Sequence, residues 1–132
     1  MARSRSTSST PRPTDAELGI LAALWSNGPS SVREVFRTIG EERGIGYSSV
    51  LKLMQIMTEK GLLKRDESVR PQIYAPVRTQ RATQKHLVGD LLDRAFAGSP
   101  GSLVLQALSS KSTTAEERDR IRAMLDQLEE GA

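Results

Sequence analysis

"GIGYSSVLKLMQIMTEKGLLKRD", residues 44–66, decides how this chain folds. At about 100° per residue, Val50, Leu53, Met54 and Met57 fall within about 100° of one another. Ser48, Lys52, Gln55 and Glu59 cluster on the opposite side, flanked by Ser49 and Ile56 one way and by Leu51 the other. The stretch is an amphipathic helix, and Gly61 stands in the C′ position that glycine favours. Beyond it the period shifts. "LLKRDES" and "QIYAPVR" read as two short strands joined through "VRP", a small hairpin. Pro71 and Pro76 lack an amide proton and confine that hairpin to edge positions.

Upstream, order begins near Pro13, where Thr14 or Asp15 can cap a helix with Glu17 in its first turn. Leu18, Leu21, Leu24 and Trp25 recur at helical spacing, with Trp25 read as core, and "SNGP" at residues 26–29 stops that helix. Ser30 or Ser31 caps a second helix carrying Val32, Val35, Phe36 and Ile39, which ends near Gly44. Downstream, "TQRATQKHLVGDLLDRAFAG" places Leu87, Leu91, Leu92, Ala95 and Phe96 on one side of a helix. "GSLVLQALSS", with Leu103, Leu105 and Leu108, is a short apolar segment. A closing helix opens with a Thr-x-x-Glu capping box, Thr113 to Glu116 or Thr114 to Glu117, and aligns Ile121, Met124, Leu125 and Leu128. The expected order is three helices, a hairpin, then three helices, a mainly α chain. The last three carry more leucine stripe than one thin layer hides, which predicts burial against a second copy.

The polar edge of the 47–59 helix has two readings. Ser49-Val50-Leu51-Lys52 fits Ser-x-x-Lys, from which some enzymes build a nucleophilic serine. Those enzymes also need partner motifs such as Ser-Asp-Asn and Lys-Thr-Gly; neither occurs here, and 132 residues are too few for that active site. The other reading is recognition. Serines at a helix N-terminus suit phosphate, Lys52 and Gln55 are long donors for phosphates or base edges, and Leu51 and Ile56 offer apolar contact to a thymine methyl. A helix about 10–12 Å across fits the major groove, braced by the preceding helix. Lys64, Arg65 and Arg70 on the hairpin suit flanking phosphates, and Tyr47 and Tyr74 are either packing residues or phosphate donors. The pattern is a helix-turn-helix with a β-wing.

Charge agrees with this. Residues 1–80 hold 12 Lys/Arg against 8 Asp/Glu, and residues 81–132 hold 7 against 8, so the basic half suits a polyanion. Hydrophobic residues at 37% and charged residues at 27% are ordinary for a soluble protein, and no apolar run approaches a membrane span. The Arg/Ser-rich leader "MARSRSTSSTPRPT" has no apolar h-region, so it reads as a disordered basic tail over 1–13 rather than a secretory signal or transit peptide. Its Arg3, Arg5 and Arg12 could reach a minor groove. Without an export signal the cytoplasm is expected. The absence of cysteine excludes disulfides, thiolate metal sites and cysteine nucleophiles. The one histidine, His86, lies beside Lys85 with no metal-ligand spacing around it, and acidic residues 116, 117, 119, 126, 129 and 130 form a solvated helix face among arginines. No catalytic residue, metal or cofactor is expected.

With these stretches together, residues 14–78 resemble the penicillinase-repressor (BlaI/MecI-type) family of winged-helix regulators. The resemblance rests on "ELGILAALW", "VREVF", "YSSVLKLMQIMTEKGLLKR" and "YAP" in order, and residues 79–130 are similar to that family's helical dimerisation arm. It implies a homodimeric repressor on palindromic operator DNA, regulating β-lactam-resistance or envelope-stress genes. It also implies groove-facing roles for Ser48, Ser49, Leu51, Lys52 and Gln55, with Arg70 in the wing. A regulatory protease is implied as a further partner, yet the Asn-Phe bond cut in penicillin-responsive members is Gln106-Ala107 here. The copper-responsive branch, which uses cysteines, is excluded. A second expectation from another class is a winged-helix module whose polar edge binds protein instead of DNA.

Overall fold

The structure is a computed structural model that describes residues 12–131. Residues 1–11, which hold most of the expected tail and its Arg3 and Arg5, lie outside the described residues, as does Ala132. The chain divides into two compact units between Leu87 and Val88.

The first unit is built from α1 (Asp15–Asn27), α2 (Val32–Arg43), α3 (Tyr47–Glu59), β1 (Leu63–Asp66) and β2 (Ile73–Pro76). Local chemistry sets each helix start. The Thr14 hydroxyl accepts from the Glu17 amide while the Glu17 carboxylate accepts from the Thr14 amide, and Ser31 and Glu34 repeat this reciprocal pair at α2. Gly44, at φ 68°, closes α2 in the left-handed region where a side chain is strained, and so turns the chain tightly into α3.

The core is one cluster shared by all five elements. Val50, Met54 and Met57 of α3 are fully buried, as the apolar edge predicts, against Ile20 and Leu24 of α1, Val35 of α2 and Leu63 of β1. Burial of each such side chain stabilises by roughly 1.5–3 kcal/mol relative to exposure. Ile20 and Ala23 widen the buried face of α1 beyond the Leu18–Leu21–Leu24–Trp25 stripe, because α1 is covered from two directions, by α2 and α3 and by β2.

Two expectations change. Trp25 is half-buried at the margin of the core, and its indole N–H donates to the Arg78 carbonyl at 3.2 Å, tying down the chain where it leaves the wing. The hairpin pairs antiparallel, Leu63 with Pro76 through Asp66 with Ile73, but β2 is not an edge strand along its whole length. Ser30 exchanges two backbone hydrogen bonds with Tyr74, at 3.0 and 2.8 Å, on the side away from β1. "SNGPSS" is therefore a one-residue third strand as well as a helix stop. Pro76 is tolerated because it ends β2, where the next amide, Val77, takes up the Leu62 carbonyl.

One ion pair fixes α3 from its far end. Lys60, the C-cap of α3, donates to both oxygens of Glu17 at 2.9 Å. Burial acts to raise the Glu17 pKa, but the Thr14 amide and the Lys60 ammonium outweigh it and hold the carboxyl below its ordinary value.

Helix α4 (Gln80–Ala95) carries the chain into the second unit, with α5 (Pro100–Ser110) and α6 (Ala115–Glu130). Ser99 caps α5, with Pro100 in its first turn, and of the two capping boxes open at α6 it is Thr114 with Glu117 that forms. No described residue of α4, α5 or α6 is buried. Leu87, Leu92, Phe96, Leu103 and Ile121 are half-buried; Leu91, Leu105, Leu108, Met124, Leu125 and Leu128 are exposed, Leu105 to 70%. Among the described residues no helix is long and apolar enough to cross a membrane.

Candidate nucleic-acid interface

Helix α3 is the centre of the site. With Val50, Met54 and Met57 turned wholly inward, its opposite edge is forced to the surface, and Ser48, Ser49, Lys52 and Gln55 are all exposed. Among the described residues none of these four makes a side-chain hydrogen bond or ion pair, so their donors and acceptors are free for a ligand. Ile56, 36% exposed, borders the same edge. Gly46 caps α3 without a side-chain hydrogen bond, whereas Thr14, Ser31, Thr79, Ser99 and Thr114 cap the other helices with theirs. The Tyr47 and Ser48 amides thus have no side-chain acceptor at the end of the helix where the dipole is positive.

The flank beyond Leu51 is a built surface. Leu51 is half-buried, packed against the core rather than standing free on the polar face. Tyr47 is held from two sides. Phe36 meets it edge-on with centroids 5.9 Å apart, and the Arg33 guanidinium lies 4.9 Å over its face. Tyr47 and Leu51 line a cleft of about 590 Å3 between α2, the start of α3 and the wing, with Arg33, Arg37, Gln72 and Tyr74 among its other walls. Tyr74 itself is 2% exposed, which makes it a core residue that shows only an edge to the cleft.

The wing holds its cations differently from what residue type alone suggests. Lys64 is exposed and unpaired among the described residues. Arg65 bridges to Glu67 at 3.1 Å, and hydrogen bonds to Tyr74 and Glu67 raise its pKa above the ordinary arginine value. Arg70 donates to the Glu67 and Val69 carbonyls at 2.8 and 3.2 Å, bracing the loop from inside. Asp66 accepts from the hydroxyl and amide of Ser68, which shapes the same turn and keeps its carboxyl below its usual pKa. The structure therefore brings Tyr47, Ser48, Ser49, Lys52 and Gln55 onto one helix, with Lys64, Arg65 and Arg70 on a wing anchored beside it through Ser30 and Tyr74. His86 is half-buried on α4, without a cluster around it among the described residues.

Sequence reasoning missed Arg33, Arg37 and Lys60. Arg33 and Arg37 sit four residues apart on the face of α2 away from its apolar stripe, a spacing visible in the sequence. The Lys60 pairing joins positions 43 residues apart and leaves no local signal.

A family model described as Penicillinase repressor matches residues 13–127. The chain is 29% identical over 119 residues to the transcriptional regulator BlaI of Mycobacterium tuberculosis, covering 89% of this chain and 85% of that protein. It is 20% identical over 117 residues to the penicillinase repressor of Bacillus licheniformis, covering 89% of this chain and 91% of that one. Among solved structures, a MarR family protein from Bacillus stearothermophilus aligns with a TM-score of 0.49 and 18% identity over 96% of this chain and 80% of that chain.

Proposed function

The chain belongs to the penicillinase repressor family, a family of regulators and not of enzymes, and from that premise we propose that it is a homodimeric DNA-binding transcriptional repressor. The observation that carries the reading is the α3 edge. Four polar side chains, Ser48, Ser49, Lys52 and Gln55, stand exposed and unpartnered on a helix whose other edge is the core of the domain. Water solvates such a set on any helix; what marks this one is its place at the N-terminal end of α3, where Gly46 offers no side-chain cap, and a major groove supplies acceptors and donors for all four.

In this reading α3 enters the major groove, α2 crosses the backbone, and the wing lies over a flanking phosphate strand. Lys52 and Lys64 contribute phosphate contacts, and Gln55 with the serines contacts base edges. The exposed leucines of α5 and α6, together with Leu91, form the interface with a second copy, which sets two α3 helices about one turn of DNA apart, or a multiple of it. Two-fold symmetry of the protein then calls for a palindromic operator. The genes controlled are those of β-lactam resistance or envelope stress; one relative is named a penicillinase repressor. Gln106 and Ala107 are exposed but lie inside α5, so relief by a protease at that bond requires α5 to unwind locally.

The test is fluorescence anisotropy with the promoter upstream of the protein's own gene, comparing wild type with Lys52→Glu at two salt concentrations. Wild type binds and weakens steeply with salt, while Lys52→Glu folds normally but loses the operator. Equal retention of both proteins on any duplex would leave the alternative, a winged-helix module that uses this edge for a protein partner.

A further inference from the structure

We propose that Arg33 and Arg37 of α2, through the cleft they share with Tyr47, seat the DNA phosphate backbone on the Leu51 side of the recognition helix. The inference rests on the DNA-binding reading above and reassigns part of its electrostatics. Of the wing arginines that residue type alone favours for phosphates, Arg65 is engaged inside the wing on Glu67 and Tyr74, and one guanidinium nitrogen of Arg70 is engaged on two loop carbonyls. Arg33 and Arg37 are exposed, one helical turn apart, and have no ion-pair partner among the described residues. The acidic residue between them, Glu34, also lines the cleft but makes no ion pair with either arginine. Its carboxylate accepts from the Ser31 amide at 2.8 Å and completes the α2 capping box.

Geometry gives these cations their place. On the α3 wheel Tyr47 and Leu51 border the polar edge at about 40–80° from Gln55, and the same two residues line the cleft. A helix lying in a major groove about 12 Å wide has a phosphate strand along each flank. The strand on the Leu51 flank passes over the cleft, between the α2 arginines and the wing residue Gln72. The stack on Tyr47 fixes the Arg33 guanidinium before DNA arrives, which reduces the ordering cost of a charge-assisted contact. The same stack makes Tyr47 a positioning residue for Arg33, whatever its hydroxyl touches.

Phosphate contacts carry affinity and salt dependence without sequence information, which separates this inference from the role of α3. The experiment measures log Kobs against log salt concentration for wild type, Arg37→Gln, Arg37→Lys and the Arg33→Gln/Arg37→Gln pair, on operator DNA and on an unrelated duplex of equal length. Thermal melts check that each variant is folded. Arg37→Gln lowers the salt slope by about 0.9 for each phosphate it no longer neutralises, so by about 2 in a dimer. It weakens both DNAs by the same factor and leaves their affinity ratio unchanged, the double variant goes further, and Arg37→Lys keeps most of the slope. A folded double variant with the wild-type slope overturns the inference and leaves the repressor reading intact. Wild type that retains no DNA at all overturns both.

Discussion

Removing the Lys60 ammonium by Lys60→Met tests how α3 is held. The Glu17 side chain is 3% exposed and that of Lys60 35% exposed, so the pair is neither a surface bridge nor a fully buried one. Breaking a buried pair costs about 3–5 kcal/mol, and an exposed pair about 0–1 kcal/mol. With one partner a third exposed and Thr14 still bonded to Glu17, about 2 kcal/mol is expected, or roughly a 10 °C fall in Tm for a unit of this size. The pH dependence gives the sharper signature. The folded-state pKa of Glu17 is depressed below the ordinary 4.5, so its contribution is fully present above that value and is lost as pH falls through the folded-state pKa. Without Lys60, burial is opposed only by Thr14, and the Glu17 pKa rises relative to wild type. The Tm gap between the two proteins is therefore widest near neutral pH and closes as pH falls and both carboxyls protonate. Fluorescence of Trp25, the single tryptophan, follows this unit directly. Equal Tm values at neutral pH, or a gap that persists unchanged into acid, would refute the assignment.

Further outcomes rest on other contacts of the fold. Leu125→Glu with Leu128→Glu places charge on two residues that are 54% and 61% exposed in one chain, and sedimentation equilibrium should show monomer where wild type is dimer; a monomeric wild type would defeat the proposed interface. Gly40→Ala puts a Cβ into the Phe36 ring and 3.1 Å from the Ile45 carbonyl, so a loss of about 1–3 kcal/mol is expected in urea unfolding, with the ring that orients Tyr47 displaced. Trp25→Phe deletes the 3.2 Å bond to Arg78 while keeping an aromatic ring in place, and a loss of about 1 kcal/mol by circular dichroism melts is expected; no change would mean the bond is fully replaced by water.

Period and punctuation, which are local properties, determined most of the architecture. The α3 stripe of Val50, Leu53, Met54 and Met57 fixed both the buried edge and, by elimination, the exposed edge of Ser48, Ser49, Lys52 and Gln55. Local pattern narrowed the helix starts to Thr14 or Asp15, Ser30 or Ser31, and Thr113 or Thr114, of which the structure uses Thr14, Ser31 and Thr114, and the change of period after Gly61 marked the hairpin. What the tertiary structure alone decided are the pairings between distant segments and the direction each cation faces. Ser30 became a strand only because Tyr74 arrived beside it, Trp25 found a carbonyl 53 positions away, and Lys60 found Glu17 across the core. Residue type made Arg65 and Arg70 look free and left Arg33 and Arg37 unremarked. An arginine's availability depends on which carboxylates, carbonyls and rings surround it in space, and no periodicity in the chain encodes that.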